Sequence, residues 1–338
     1  MTAIVSTDFI SLAVLLGTGF IVTFLVTPLL ARLNRKLGII GVDVHKIEKP
    51  KLPATCGLAI TIGMVCSTLL AAIAFPTDKR YLLAFVTCIS IAALIGAVDD
   101  LKPLSSKVKA LLTVAAGAPI VLLGTYAPYV TVPFLGTARL TIVYPVLVLA
   151  AIPVLANAIN MMNPFNGAMT GTCSVLSAAM IVCFALLGRI DDAIMPVALL
   201  GSLLAFHWYN RHPARVFSGD AGDLSVGTAI GALTIMGRIE IPMLIAMIPH
   251  IANAFYLLSS VGGLRERREI LDRPTRLLDD GKLEATREKG APITLSRIIL
   301  AEGPLREKEI VNIMIALTVT SSILGLLTLL LMQTGVLR

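Results

Sequence analysis

The stretch YLLAFVTCISIAALIGAVDDLKPL, residues 81–104, contains eighteen uncharged residues that run without interruption into two adjacent aspartates. A helix of about 20 apolar residues crosses the hydrocarbon core of a bilayer. Residues 81–98 therefore predict a transmembrane helix, and Asp99 and Asp100 fall at its end. Carboxylates at that depth are costly unless a partner or ligand offsets the cost, which makes the pair a candidate functional site.

Similar apolar runs recur along the whole chain, which has 338 residues, of which 56% are hydrophobic and 14% charged. The mean hydropathy is +0.87. The first run lacks a basic flank and an A-x-A-like cleavage site, so we expect a retained helix. The pattern predicts an all-α integral membrane protein, a single polytopic domain over 1–338 with about ten transmembrane helices. The predicted spans are 8–31, 57–75, 81–98, 110–126, 143–162, 167–188, 194–209, 223–237, 241–261 and 309–333.

The basic residues lie mainly on one side of this predicted topology. Four connections, 32–51, 99–109, 210–222 and 265–308, contain 22 of the 28 Lys and Arg residues. By the positive-inside rule these connections are cytoplasmic, which places both termini outside. The net charge of +7 thus reports topology and contact with membrane lipids, and it does not indicate a nucleic-acid partner.

The connection 265–308, between the ninth and tenth helices, is too long and too polar for a tight turn. Its sequence Asp279-Asp280-Gly281 lies between short apolar stretches and predicts a β-hairpin. We expect a small cytosolic cap over the site. A second hairpin is predicted on the outer face, within residues 125–141.

Five polar patches lie on the predicted cytoplasmic side, and together they suggest metal-assisted phosphate chemistry. Carboxylate and amide oxygens suit Mg²⁺, with Mn²⁺ as the alternative, while Lys and Arg bind phosphate oxygens. The sequence has no P-loop and no H-E-x-x-H motif, and its five cysteines show no C-x-x-C spacing. The patches are 43–57, 99–109, 157–167, 213–223 and 265–308.

Taken in order, these patches resemble the polyprenyl-phosphate N-acetylhexosamine-1-phosphate transferases, with the greatest likeness to the archaeal and eukaryotic branch that uses UDP-N-acetylglucosamine and dolichyl phosphate. The motifs are D-x-x-K…P-x-x-x-G at Asp43–Gly57, the acidic pair, N-A-I-N…N-G at Asn157–Gly167, and R-V-F-x-G-D ending at Asp220. The resemblance covers essentially the whole chain. It implies transfer of N-acetylhexosamine 1-phosphate from a UDP-sugar to a polyprenyl phosphate, with release of UMP.

The resemblance also implies roles for individual residues, an active site on the cytoplasmic face, and a plasma membrane or endoplasmic reticulum location. A homodimer is a further candidate assembly, and the lipid is expected to enter near the fourth, fifth and ninth helices. The implied catalytic residues are Asp99, Asp100 and Asn160; the metal ligands are Asp220 and Asn160; and the substrate contacts are Lys46, Lys109, Asn157, Asn166, Phe217, Arg273 and Arg276.

The sequence departs from the family pattern at three places. Met169 stands where the family pattern has Glu, and Asp223 stands where the bacterial pattern has Ser. The His of the eukaryotic R-H-R pattern before the predicted cap hairpin is missing. The departures leave the implied metal residues in place.

Two other classes of function fit part of the pattern. A secondary transporter or lipid flippase would also carry intramembrane carboxylates, but it predicts polar residues near the middle of the bilayer and an inverted repeat. A scaffold that only binds its partners would not need the metal-type cluster. Within the transferase hypothesis, the sequence leaves open whether the lipid phosphate attacks directly or a covalent intermediate forms.

Overall fold

The computed structural model describes residues 9–75, 78–134, 136–265, 270 and 272–334. The fold is a bundle of helices joined by short connections, with three small hairpins. The α-helices are α1 (Phe9–Leu37), α2 (Leu58–Ala74), α3 (Lys79–Leu101), α4 (Ser106–Leu122), α5 (Val143–Met161), α6 (Ala168–Leu186), α7 (Ile194–Asn210), α8 (Gly219–Met236), α9 (Glu240–Ala246), α10 (Ile248–Val261), α11 (Leu295–Ile299) and α12 (Glu307–Gln333).

Each of the ten predicted apolar runs contains a helix, although the described part of the first run starts at residue 9. In the part of the chain that the structure describes, six helical segments are long and apolar enough to cross a membrane, and the number rises to seven if α9 and α10 form one bent span. The chain is therefore an integral membrane protein, while the count of ten spans and the N-out, C-out orientation stay predictions. The six are α1, α3, α5, α6, the segment Ile190–Asn210 and α12.

The prediction that 241–261 forms a single ninth helix was wrong. It consists of α9 and α10, which meet at an angle of 64°. Pro249 occupies the first turn of α10. Proline has no backbone N–H and suits the first turn of a helix, where that donor is unpaired in any case. The sequence signal for this break was therefore present within the apolar run.

The described residues also form three antiparallel two-stranded hairpins, so the predicted all-α fold class is incomplete. The two predicted hairpins, within 125–141 and around 279–281, are confirmed. The third lies between α1 and α2, and the sequence analysis did not predict it. The strands are β1 (Ile40–Val42), β2 (Lys51–Pro53), β3 (Tyr129–Val132), β4 (Gly136–Arg139), β5 (Thr275–Leu277) and β6 (Leu283–Ala285).

Helix α8 is the centre of the bundle, since all its residues from Ala221 to Met236 are buried. Its first turn lies against α2 and α3 at two glycines. A Cβ on Gly57 would overlap the backbone of Gly222, and a Cβ on Gly96 would overlap the backbone of Asp220. Only residues without a side chain allow the helices to approach this closely. The packing therefore fixes the beginning of α8 against two neighbouring helices.

The predicted cap is attached to the bundle by a second, smaller hydrophobic cluster. Leu283 of β6 is fully buried there, together with residues of the α5–α6 turn and the first turns of α12. The backbone of Leu283 also exchanges two hydrogen bonds with the backbone of Leu305, at 2.8 and 3.0 Å. Residues 266–269 and 271 of the predicted cap lie outside the described residues.

Candidate active site

The carboxylate cluster consists of Asp99, Asp100, Lys109 and Asp220. Asp99 and Asp100 lie in the last turn of α3, Lys109 in the first turn of α4 and Asp220 in the first turn of α8. The Lys109 ammonium donates to Asp99 Oδ2 at 3.0 Å and to Asp220 Oδ2. Because two carboxylates share this ammonium and Asp100 adds a third carboxylate nearby, the cluster carries excess negative charge and favours a further cation.

Asp100 has a different part in the cluster, because both of its oxygens accept backbone N–H groups of α8. Oδ1 accepts from Asp220 at 2.8 Å, and Oδ2 accepts from Ala221 at 3.3 Å. The first N–H groups of a helix have no partner within the helix, and a carboxylate also interacts favourably with the positive end of the helix dipole. Asp100 thereby fixes the position of the Asp220 backbone.

Gly219 allows this contact between Asp100 and α8. Its φ angle is +68°, and a Cβ at this position would overlap the Asp100 carboxylate. Only glycine adopts such a φ without steric cost. The G-D pair of the sequence motif is therefore explained by geometry: glycine makes room for one aspartate and positions the next.

Asp223 joins α8 to the turn between α5 and α6. Its carboxylate is buried and accepts the Ser218 hydroxyl at 2.6 Å and the Asn163 amide at 2.8 Å. Asn163 also accepts the N–H of Met169 at 3.3 Å. A buried carboxylate is tolerated only when its hydrogen bonds are satisfied. The aspartate in place of the bacterial serine is thus accommodated by Asn163 and Ser218.

A second group, which we call the Glu307 cluster, consists of Asp43, Lys46, Asn166, His212 and Glu307. The Lys46 ammonium pairs with Glu307 and lies 3.4 Å from Asp43 Oδ2. Asn166 donates its side-chain amide to Asp43 at 2.9 Å and its backbone N–H to Glu307 at 2.7 Å. His212 Nδ1 lies 3.5 Å from Glu307. The cluster joins α12 to the loop after α1 and to the α5–α6 turn.

A cavity of about 310 Å³ opens beside the Glu307 cluster. One wall comes from the loop between β1 and β2, another from residues 213–214, and the turn of the β5–β6 hairpin contributes Gly281. His45 in this loop also stacks on Phe165, with 4.8 Å between ring centroids. Four ionisable side chains lie among its apolar lining residues and could contact a charged ligand. The cavity is lined by Asp43, His45, Lys46, Ile47, Glu48, Pro50, Pro213, Ala214 and Gly281.

The five polar patches of the sequence meet at one end of the bundle. The backbones of 53–57 and 217–218 are hydrogen-bonded, with Phe217 N–H to Pro53 O at 2.9 Å and Gly57 N–H to Ser218 O at 2.9 Å. Asn163 contacts α8 through Asp223. Asn166, in the same turn, contacts the Glu307 cluster through Asp43. The patches are far apart in sequence, so only the folded bundle brings them together.

The remaining predicted site residues have varied surroundings. The Phe217 ring covers Gly41, where a Cβ would lie 2.8 Å from the ring. Asn157 donates to the Pro153 carbonyl of its own helix at 2.8 Å. Asn160, in the last turn of α5, is half-buried, and within the described part of the chain its side chain has no hydrogen-bond partner. Its amide is therefore available to a ligand.

The two predicted arginines are not brought into contact with the carboxylate cluster. Arg276 lies on β5 and pairs across the hairpin with Glu284, with 2.7 Å between Arg276 Nε and Glu284 Oε1. Arg273 is exposed two residues before β5. Among the residues that the structure describes, neither makes a hydrogen bond or ion pair with Asp99, Asp100 or Asp220.

Glu307, Asn163 and the hydrogen-bonding role of Asp223 were not predicted from the sequence. Glu307 lay just before the predicted tenth span, and its partner Lys46 is 261 positions away. A charged residue at the first turn of a helix also has an ordinary explanation in the helix dipole, so the burial of this side chain had no signal in the sequence. For Asn163, the unusual density of asparagine between 157 and 167 was the available signal.

The carboxylate cluster fits a Mg²⁺ ion by its chemistry. Mg²⁺ is usually held by one or two carboxylates, with waters and substrate phosphates completing the shell, rather than by a cage of protein ligands. Accordingly, in the described ranges no three His, Cys, Asp or Glu side chains form a ready-made metal site. Asp99 and Asp220 nevertheless direct oxygens at one positive charge, the Lys109 ammonium.

The sequence of the chain matches known proteins over the region that contains this cluster. The profile of glycosyl transferase family 4 matches residues 82–238, which include the whole carboxylate cluster. A Bacillus subtilis protein named "Probable undecaprenyl-phosphate N-acetylglucosaminyl 1-phosphate transferase" is 31% identical over 264 residues, covering 72% of this chain and 71% of the relative. A Helicobacter hepaticus phospho-N-acetylmuramoyl-pentapeptide-transferase is 30% identical over 260 residues, covering 65% of this chain and 71% of the relative.

An archaeal relative matches over a larger share of the chain. A Saccharolobus solfataricus protein named "Putative UDP-N-acetylglucosamine--dolichyl-phosphate N-acetylglucosaminephosphotransferase" is 25% identical over 300 residues. The match covers 88% of this chain and 90% of the relative. It is therefore longer than the match to the family profile, which covers residues 82–238.

Proposed function

Because the chain belongs to glycosyl transferase family 4, we propose that it transfers N-acetylglucosamine 1-phosphate from UDP-N-acetylglucosamine to a polyprenyl phosphate, with dolichyl phosphate as the acceptor. The products are lipid–diphosphate–sugar and UMP, and the reaction is the first lipid-linked step of a glycan assembly such as protein glycosylation. The observation that carries the proposal is the meeting of Asp99, Lys109 and Asp220 at one end of an apolar helical bundle.

The chemistry needs one new bond and one broken bond. An oxygen of the lipid phosphate attacks the β-phosphorus of the UDP-sugar, and the bond from that phosphorus to the bridging oxygen of the α-phosphate breaks. The electron pair leaves with UMP. A phosphate monoester is largely ionised near neutral pH, since its second pKa is about 6. A strong base is therefore not required, and Asp99 orients or deprotonates the attacking phosphate.

The residues of the chain act mainly by position and charge, as in phosphoryl transfer generally. Lys109 is the contact for phosphate oxygens, and it also offsets the repulsion between Asp99 and Asp220. Asp100 holds the first turn of α8, so that Asp220 stays at the reacting end of the bundle. Lys46, Asn157, Asn166, Phe217, Arg273 and Arg276 are the further proposed substrate contacts.

Asp220 and Asn160 are the proposed ligands of a Mg²⁺ or Mn²⁺ ion. Such an ion would supply charge neutralisation on the diphosphate oxygens. The half-buried, unpartnered amide of Asn160 and the excess of carboxylates around Lys109 support this assignment. A metal ion would also relieve the repulsion between the carboxylates.

We also propose the ten-span topology with both termini outside and the site on the cytoplasmic face. All five polar patches lie at the end of the bundle that carries most of the basic residues, which is the side the positive-inside rule assigns to the cytoplasm. The host membrane would be the plasma membrane of an archaeon or the endoplasmic reticulum. A homodimer is the proposed assembly, and the lipid would enter near α4, α5 and the α9–α10 pair.

The test is to incubate purified protein with labelled UDP-N-acetylglucosamine, polyprenyl phosphate and Mg²⁺ and to measure labelled lipid and UMP. We expect equal amounts of both products, and no transfer with Asp220→Asn, because that change removes one carboxylate charge from the cluster. Asp191→Asn, an exposed change at the opposite end of the bundle, is the matched control and should keep wild-type turnover.

Three results would contradict the proposal in different ways. Transfer by Asp220→Asn at the wild-type rate would remove Asp220 from the metal site. Binding of UDP-sugar without product would favour a scaffold. Movement of labelled lipid across vesicles without UMP release would favour a flippase, although the position of the carboxylates at one end of the bundle does not suggest a transport path.

A further inference from the structure

Glu307 is a buried carboxylate at the beginning of the last helix, and its side chain is only 3% exposed. An acidic residue at this position usually faces solvent and interacts with the helix dipole. The Glu307 side chain instead points inward: Oε1 accepts the Asn166 N–H at 2.7 Å, and Oε2 pairs with the Lys46 ammonium. One side chain of α12 thereby contacts two other polar patches.

Asp43 completes a closed network with the same two partners. Its Oδ2 accepts the Asn166 side-chain amide at 2.9 Å and lies 3.4 Å from the Lys46 ammonium. Asn166 is thus held at its backbone by one carboxylate and at its side chain by another. Both carboxylates depend on the charge of Lys46, because a buried carboxylate without a partner is strongly unfavourable.

The network borders the cavity of about 310 Å³ beside it. Lys46 and Asp43 line that cavity, and the Lys46 side chain keeps 20% of its surface exposed. An ammonium has three donors, and two of them face Glu307 and Asp43. The third is left for a ligand in the cavity. The ionisable side chains of the cavity, those of Asp43, His45, Lys46 and Glu48, lie on the loop between β1 and β2, outside the apolar helices, so this ligand is the water-soluble substrate and not the prenyl chain.

We infer that Glu307 is a positioning residue: it fixes Lys46 and Asn166 at the edge of the cavity and does not itself touch the substrate. The inference rests on the proposed function, since it assigns the sugar nucleotide as the ligand of that cavity. It also gives α12 a part in substrate binding, although the family profile ends at residue 238.

The test begins with Glu307→Gln, which keeps an oxygen for the Asn166 N–H but removes the charge that holds Lys46. We expect the KM for the sugar nucleotide to rise about tenfold, as for loss of one charge-assisted hydrogen bond. The KM for lipid phosphate and the kcat should stay within about twofold of the wild-type values, because the substitution leaves the contacts of the transition state intact. Glu309→Gln is the matched control, because Glu309 lies in the same turn but is exposed.

A double-mutant cycle shows whether Glu307 acts through Lys46. Lys46→Met should raise the same KM, and the double variant Lys46→Met/Glu307→Gln should be no worse than Lys46→Met alone, because the position of Lys46 no longer matters. Additive effects would overturn the inference. So would a Glu307→Gln variant that lowers the unfolding temperature and leaves the KM for the sugar nucleotide unchanged, since that result describes a purely structural contact.

The failure of this inference can be separated from failure of the proposed function. A wild-type protein without transfer activity would contradict the proposed function. In that case the same cycle, measured by thermal unfolding, still reports the Lys46–Glu307 coupling, while the Kd of UDP-N-acetylglucosamine shows whether the coupling affects the cavity. An unchanged Kd in Glu307→Gln would overturn the positioning assignment even then.

Discussion

At the scale of single residues, Asp99 and Asp100 are adjacent in sequence and different in function. Asp99 faces the Lys109 ammonium, whereas both oxygens of Asp100 are occupied by backbone N–H groups at the beginning of α8. Asp99 Oδ1 also accepts the Leu104 N–H at 2.6 Å. The acidic pair therefore divides into one residue that shares the Lys109 ammonium with Asp220 and one that holds the first turn of α8 in place. The pair at Asp191 and Asp192 has no such surroundings and lies near Arg189 at the other end of the bundle.

Gly219→Ala tests the contact between Asp100 and α8. We expect loss of at least about 1–2 kcal/mol of stability from the left-handed backbone alone. A larger loss, together with at least tenfold lower turnover, should follow because the new Cβ would displace Asp100. Thermal unfolding and the transfer assay measure the two effects.

Gly188→Ala is the matched control for that substitution. Gly188 has a φ of +66°, close to the +68° of Gly219, but a Cβ there would meet nothing within 4 Å. It should show the backbone cost and normal turnover. Equal turnover in the two variants would mean that Asp100 does not position Asp220 for catalysis.

At the scale of elements, the β5–β6 hairpin is held by one buried leucine rather than by its ion pair. Leu283 is fully buried in the smaller hydrophobic cluster, whereas the Arg276 side chain is 70% exposed. Exposed ion pairs contribute about 0–1 kcal/mol, and burial of a leucine contributes several times more. The hydrophobic contact therefore determines whether the cap stays attached to the bundle.

Leu283→Ala should detach the hairpin without unfolding the bundle. Truncation of a buried leucine costs about 2–5 kcal/mol, which exceeds what a two-stranded hairpin can supply on its own. We expect faster hydrogen exchange of the amides of 275–277 and 283–285, and unchanged exchange in α8. Ile293→Ala, at an exposed position, is the control and should leave the exchange of the hairpin slow. Equal exchange in both variants would contradict this account of the cap.

At the scale of the whole molecule, the topology is tested by thiol accessibility. Cysteines introduced at Asp280 and Asp191 lie at opposite ends of the bundle, and both positions are exposed. A membrane-impermeant maleimide should label Asp191→Cys in intact cells and Asp280→Cys only after permeabilisation. The parent protein gives the background from its five native cysteines, of which four are buried. The reverse labelling pattern would invert the proposed orientation.

The positions of the helices could be predicted from the sequence, because length and hydropathy are local properties. The hairpin around Asp279-Asp280-Gly281 was equally local. The clusters were partly predictable: the sequence indicated which patches share a side of the membrane, but not that Lys46 would pair with Glu307, 261 positions away. The break between α9 and α10 was missed because hydropathy does not register the effect of Pro249. The β1–β2 hairpin was missed because the loop 43–50 between its strands has no tight-turn signal like Asp279-Asp280-Gly281.

The longest helices, α1 and α12, are also the least enclosed, with 22% and 28% of their most apolar windows buried. At 1.5 Å per residue, their 29 and 27 residues extend for about 43 and 40 Å, beyond a hydrocarbon layer of about 30 Å. Such helices relieve hydrophobic mismatch by tilting, at modest cost. A change in bilayer thickness would thus change the tilt of α1 and α12 at the periphery of the protein. The enclosed α8, of 18 residues, would keep the end that carries Asp220 in the same position relative to its neighbours.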